Sequence, residues 1–243
     1  MNFRYLVSGE SSITLEIGNQ ISEKINQKVR MMSIAINKSK IDGIVELITT
    51  YRSIKIDYNP CKIHYKALIN ELDDLQKNIS DVLIEGSKII EIPTLYEGPD
   101  LEYVSQYNSI SVEQVIKIHS SKAYLIYMLG FTPGFPYLGG MSDKISTPRL
   151  KKPRAKIASG SVGIAGSQTG IYPIDSPGGW QLIGKTPLIL FDEEKKNPFL
   201  LEAGNYIKFK PIDKKTFEVI QKKVNNKTFQ VKTYLKDDKN GSN

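Results

Sequence analysis

The stretch from Gly130 to Pro187 constrains this chain more than any other: within 58 residues it holds 11 of the 18 glycines, 7 of the 12 prolines and the only tryptophan. Glycine serves where backbone turns tightly or approaches another group closely, and proline fixes turns at low entropic cost. Such a stretch forms short strands joined by ordered turns rather than long helices. Its charge is lopsided, with Lys144, Arg149, Lys151, Lys152, Arg154, Lys156 and Lys185 against Asp143 and Asp175 and no Glu, His or Cys. An anion, or the acidic surface of another protein, is the expected guest.

Upstream, Phe3 to Val7 and Ile13 to Ile17 read as a strand hairpin across SGESS. Apolar residues at Ile21, Ile25, Val29, Met32 and Ile36 predict one buried helix face, as do Tyr65, Leu68, Leu72, Leu75 and Ile79. Ile44 to Tyr51, Ser53 to Tyr58 and Lys88 to Ile92 read as strands. The order β, β, α, β, β, α, β predicts a ferredoxin-like α/β sandwich over residues 1–92, assigned to scaffolding and assembly. His64 reads as a surface or capping residue and Cys61 as a small buried one.

Breakers in the LYEGPD segment place a boundary at 92/93. Asp100 is expected to cap a short helix through Tyr107, and Ser111 with Gln114 forms a capping box for another ending near His119. Ala123 to Leu129, Leu188 to Phe191, Tyr206 to Lys210 and Thr228 to Leu235 read as strands, and Asp213 to Val224 as an amphipathic helix. Short strands with turns between them predict a β-barrel or sandwich over 93–243, making the chain α+β. The final KDDKNGSN is expected to fray.

At 243 residues the chain is long enough for two domains, and 40% hydrophobic with 24% charged residues is an ordinary globular composition. The net charge of +7 has no helix-turn-helix, zinc-finger or RNP-like pattern to organise it, so no nucleic-acid partner is expected. No apolar run approaches the ~20 residues that cross a bilayer, and no basic-then-apolar leader opens the chain. A cytoplasmic protein without membrane contact is expected. One cysteine excludes an internal disulfide and any cysteine-rich zinc site, and no metal cluster stands out.

Gly179 to Thr186 matches G-x-x-x-x-G-K-[ST] letter for letter. A working P-loop needs a strand before it and a long helix after it, whereas SPGG precedes these letters, Pro187 follows, and strand is expected beyond. The glycines at 160, 163, 166 and 170 have the wrong spacing for a dinucleotide fingerprint. Neither histidine has a serine nucleophile in a G-x-S-x-G elbow, and no carboxylate pair stands out. His119 remains a possible general base, although its more economical reading is a histidine bonded to backbone where helix meets strand. What the stretch offers is a glycine-lined surface carrying Arg149, Arg154, Ser161, Gln168, Thr169, Tyr172 and Ser176. Arginine forks clamp carboxylates and phosphates, while hydroxyls and amides read amides and carbonyls.

The blocks GFTPGFPYLGG, TPRLKKPR, SGSVGIAGSQTGIYP and SPGGWQLIGKTP, in that order, closely resemble a family known under three descriptions: allophanate hydrolase subunit 1, the sporulation-kinase inhibitor subunit and the B-type subunit of 5-oxoprolinase. IP-x-x-Y at Ile92 to Tyr96, PDLE at Pro99 to Glu102 and I-x-x-H-S at Ile116 to Ser120 extend the likeness over nearly the whole chain. The resemblance implies a ferredoxin-like N-terminal domain and a cyclophilin-like C-terminal barrel. It further implies a homologous second subunit and a third subunit, in a complex that uses ATP, with Mg2+, to open 5-oxoproline to glutamate. The family's strongest blocks fall here on Pro133, Gly134, Phe135, Arg149, Arg154, Gly160, Ser161, Gln168, Thr169, Gly170, Tyr172, Ser176, Pro177 and Trp180.

On this reading Arg149 and Arg154 hold the carboxylate or the phosphorylated oxygen of the lactam, Gln168, Thr169 and Tyr172 bind its amide, and a partner completes the site. A homodimer through the N-terminal domain is compatible with it. The resemblance leaves other roles open: an inhibitor docking on a sensor histidine kinase, a subunit of an allophanate- or urea-degrading enzyme, and a stand-alone prolyl isomerase, which the barrel alone would suggest.

Overall fold

The computed structural model describes residues 3–82 and 86–236. The chain divides into two units, Met1–Glu85 and Gly86–Asn243. In the first, β1 (Arg4–Gly9), β2 (Ser12–Glu16), α1 (Glu23–Ser39), β3 (Ile44–Thr49), β4 (Ser53–Tyr58) and α2 (Tyr65–Lys77) follow in order. The sheet runs β1-β2-β4-β3 with every pair antiparallel, so β4 lies between β2 and β3, which α1 connects.

Alternation on β2 and β4 sends Ile13, Leu15, Ile54 and Ile56 into the core, where they meet Val29, Met32 and Ile36 of α1 and Leu68 and Leu72 of α2. Each such burial contributes roughly 1.5–3 kcal/mol. Ser22 fixes the start of α1 by accepting the Ile25 N–H at 3.2 Å. Ile21, ahead of that cap, is therefore off the helical face and exposed. Cys61 is exposed rather than buried.

The second unit comprises β5 (Lys88–Thr94), α3 (Leu101–Tyr107), α4 (Val112–Ser120), β6 (Tyr124–Leu129), β7 (Pro136–Gly139), β8 (Arg154–Ile157), β9 (Ser161–Ala165), β10 (Gln168–Ile171), β11 (Ser176–Gly178), β12 (Gln181–Lys185), β13 (Tyr206–Pro211), α5 (Lys214–Asn225) and β14 (Thr233–Leu235). Its ladders form three sheets, ordered β14-β5-β13-β6-β7, β10-β9-β12 and β11-β8. Ile92, Tyr124, Ile126, Ile164, Ile183 and Ile207 are fully buried among them.

Four expectations are corrected. Lys88 to Ile92 does not close the N-terminal sheet: β5 pairs in parallel with β13 and runs on through Pro93 to Thr94. Pro93 is tolerated because β14 covers only Lys88 to Ile90, so the missing N–H falls where no ladder needs it. No closed barrel is formed among the described residues; the sheets are linked by isolated bridges such as Leu95 to Lys185 and Thr147 to Gly166. Prolines 148, 153, 173 and 187 lie in the connecting segments, where each removes a ladder donor. Leu188 to Phe191 is irregular chain with one bridge from Phe191 to Phe199, and of Thr228 to Leu235 only the last three residues are strand. The expected fraying of the last eight residues falls, beyond Lys236, outside the described residues.

Candidate functional site

Trp180 sits where the chain leaves the glycine pair Gly178-Gly179 and enters β12, and a cavity of about 150 Å³ opens beside it. Phe131, Phe135, Tyr137, Tyr172 and Trp180 supply aromatic walls, and Pro177, Gly178 and Gly179 complete the lining with Arg149. Phe135 is the hub, its ring edge-on to Tyr172, Trp180 and Tyr137 with centroids 5.4 Å away in each case. T-shaped aromatic packing of this kind fixes ring orientation beyond what burial alone does.

Trp180 rests on a glycine shelf. Gly163 and Gly170 are directly paired on β9 and β10, and a Cβ on either would crowd Trp180, at 3.2 Å from its Cβ and 3.1 Å from its ring respectively. On the other wall a Cβ at Gly178 would come within 2.3 Å of the Tyr172 hydroxyl. Glycine thus lets Trp180 pack closely on the shelf, and at Gly178 any side chain would displace the Tyr172 hydroxyl.

Arg149 is exposed, and its guanidinium carbon lies 6.0 Å from the Trp180 ring centroid. Among the described residues no acidic side chain pairs with it, and Lys151 and Lys152 beside it are exposed and likewise unpaired. The Tyr172 hydroxyl accepts a hydrogen bond from the Trp180 backbone N–H. Burial raises the Tyr172 pKa, partly opposed by Arg149, this N–H and Arg154, so the phenol stays protonated at neutral pH. Ser176 Oγ, at the head of β11, is buried without a hydrogen-bond partner among the described residues.

The other expected residues have different surroundings. Arg154 is tied into the fold: its guanidinium donates to Asp100 at 2.7 Å and to the Trp180 carbonyl at 3.2 Å. Asp100 also accepts the Leu182 N–H at 2.6 Å, so its carboxylate serves this clamp rather than capping α3. Thr169 is buried and faces away from the cage, with its Oγ1 2.7 Å from His119 Nε2 and 3.0 Å from the Gly163 carbonyl. Gln168 and Ser161 lie on β10 and β9 outside the cage lining, and Gly134 packs under Phe191 and Phe199. Pro133 is exposed in the same turn.

His119 is fully buried and meets no solvent. Its Nδ1 is 2.7 Å from the Tyr96 hydroxyl, and its ring lies 4.4 Å from Phe209. Burial lowers its pKa to about 3, so it is neutral and positioned for packing rather than proton transfer in an open site.

Of the P-loop-like letters, Gln181 to Lys185 form β12 and irregular chain follows, so no helix N-terminus stands behind them. No group of three or more His, Cys, Asp or Glu side chains could hold a metal among the described residues, and no described helix is long and apolar enough to cross a membrane. Sequence reasoning missed Phe131 and Tyr137 of the cage and two partners in the buried bonds, the Tyr96 hydroxyl that meets His119 and the Asp100 carboxylate that meets Arg154. The first two lie in GFTPGFPYLGG and the last two in the IP-x-x-Y and PDLE pieces, which were the available signals.

Fold and site together define a mixed α/β protein with a small aromatic cage, rimmed by cations and lined by no acid–base pair. The chain belongs to the carboxyltransferase-domain family, subdomain C and D, whose profile matches residues 3–201. The 5-oxoprolinase B-type subunit of Bacillus subtilis (strain 168) is 39% identical over 240 residues, covering 93% of this chain and 100% of that protein. The urea amidolyase of Lachancea kluyveri is 26% identical over 97% of this chain, which spans 15% of that protein. Among solved structures, TTHA0988 superposes with a TM-score of 0.74 at 31% identity over 83% of this chain, which spans 40% of that one.

Proposed function

We propose that this chain is the B-type subunit of an ATP-dependent 5-oxoprolinase, opening 5-oxo-L-proline to L-glutamate with a homologous second subunit and a third subunit in the cytoplasm. The cage carries this reading. Its volume of about 150 Å³ suits one five-membered ring, its walls offer flat aromatic faces, and Arg149 at the rim is free to take a carboxylate. A lactam bearing one carboxylate has that shape and charge. The full-length match to the B-type subunit of 5-oxoprolinase supports this substrate over urea-derived ones, since the urea amidolyase match is weaker and spans a small part of a much longer protein.

In the proposed reaction Arg149 anchors the substrate carboxylate and the aromatic walls orient the ring and exclude water. The Tyr172 phenol, already accepting from the Trp180 N–H, keeps its own proton to donate to the lactam carbonyl. ATP supplies the activation of the amide oxygen when bound. Because the P-loop-like letters are strand and the cage lacks an acid–base pair, the nucleotide, its Mg2+ and the base that activates water are assigned to the partner subunits. Arg154 supports the wall behind Trp180 rather than holding substrate.

At the level of fold, the β2-α1-β3 connection around β4 supports a ferredoxin-like first unit. The second unit is proposed as a cyclophilin-like relative with open ladders. Co-expression with the second and third subunits tests the function: 5-oxoproline-dependent ATP hydrolysis with stoichiometric glutamate is expected. An assembled complex that hydrolyses no ATP in response to 5-oxoproline would overturn it.

A further inference from the structure

We propose that Tyr96, His119 and Thr169 form a buried positioning relay that fixes the seat of Trp180, and through it the shape of the cage. The inference rests on the cage being the substrate site. Its geometry is independent of that reading.

The Thr169 hydroxyl has one proton, and the Gly163 carbonyl at 3.0 Å can only accept it. Its oxygen is then the acceptor for His119 Nε2–H at 2.7 Å. That fixes the neutral tautomer with Nδ1 unprotonated, which accepts from the Tyr96 hydroxyl at 2.7 Å. The chain of bonds runs one way, Tyr96 to His119 to Thr169 to Gly163. All four residues are buried, so no water substitutes for a missing link at low cost.

Successive side chains on β10 point to opposite faces. Thr169 therefore reaches into the core while Gly170 turns its bare face to Trp180 and Phe135, with a Cβ there only 3.1 and 3.2 Å from their rings. Gly163, which accepts the final bond, is Gly170's direct cross-strand partner and underlies the Trp180 Cβ. The relay thus grips the shelf from the core side at Gly163 and at Thr169, the chain neighbour of Gly170. His119 is itself held from the helix side, because the Tyr124 hydroxyl donates to its carbonyl at 2.7 Å.

Trp180 is the only tryptophan, so the intrinsic fluorescence of the full chain reports on the cage without substrate or partner. Thr169→Val keeps the shape and removes the hydroxyl. It is expected to shift the emission to the red and increase acrylamide quenching, and in the reconstituted complex to raise KM for 5-oxoproline with kcat largely retained. Thr169→Ser, which keeps the hydroxyl, is expected to restore both readouts. Should Thr169→Val fail to fold, Tyr96→Phe removes only the first link and is expected to change the emission in the same direction. A folded Thr169→Val or Tyr96→Phe chain with wild-type emission and quenching would overturn the relay. A shifted emission in the variant chain, together with a wild-type complex that lacks oxoprolinase activity, would uphold the relay while refuting the proposed function.

Discussion

Asp100 shows how one side chain can settle an assembly of elements. It occupies the N-cap position of α3, and its oxygens instead take the Arg154 guanidinium and the Leu182 N–H. Asp100→Ala leaves a half-buried cation and a buried N–H without acceptors and is expected to destabilise the protein by about 1–3 kcal/mol. Urea denaturation measures it, with Asp100→Asn expected to lose less. The helix-start signal at Asp100 was legible in sequence because capping is local. Its partner was not, since residue 154 lies far along the chain and nothing at either position encodes the pairing. Arg154 suffers the same blindness in reverse: a guanidinium beside Gly/Pro-rich sequence reads as a ligand clamp until its carboxylate appears. Thr169 likewise read as a substrate contact because alternation on so short a strand, bounded by glycine, gives no hint of which face is the core.

At the scale of elements, the helices were the most legible, because α1 and α4 carry side-chain caps and α1 and α2 bury apolar residues at the expected spacing. Strands were legible as strands and not as members of a sheet: β5 has the right residues for the N-terminal sheet and pairs instead with β13, a choice made by long-range packing. The end of α4 makes a pH prediction. The groups packed on His119 are the Tyr96 and Tyr124 phenols, both pushed up by burial and neutral, together with Phe209 and the Thr169 hydroxyl. With a folded pKa of about 3 against an ordinary value near 6.5, the unfolded chain binds the proton more readily between those limits. His119 therefore leaves stability intact above about pH 6.5 and lowers it as pH falls toward 3, by at most about 1.4 kcal/mol per pH unit. Denaturation across pH 7 to 4 should show a shallower slope for His119→Gln than for the native chain, whatever the variant's absolute stability. Equal slopes would mean that His119 is charged or exposed.

At the scale of the whole molecule, the composition of the glycine- and proline-rich stretch follows from its geometry: bare glycines lie against Trp180 and Tyr172, and five aromatic rings surround one cavity. The cage is proposed as a binding half-site for a ring and an anion, with the proton-transfer and nucleotide chemistry arriving with other subunits. Removing the anchor should accordingly affect substrate capture more than assembly. The most direct test is the steady-state kinetics of Arg149→Ala in the reconstituted three-subunit complex. Loss of one charge-assisted contact of about 1.5–3 kcal/mol predicts a rise in KM for 5-oxoproline of roughly 10- to 100-fold, with the complex still assembled and Arg149→Lys recovering part of the loss. An assembled Arg149→Ala complex with native KM and kcat would contradict the assignment of this cage as the place where the lactam binds.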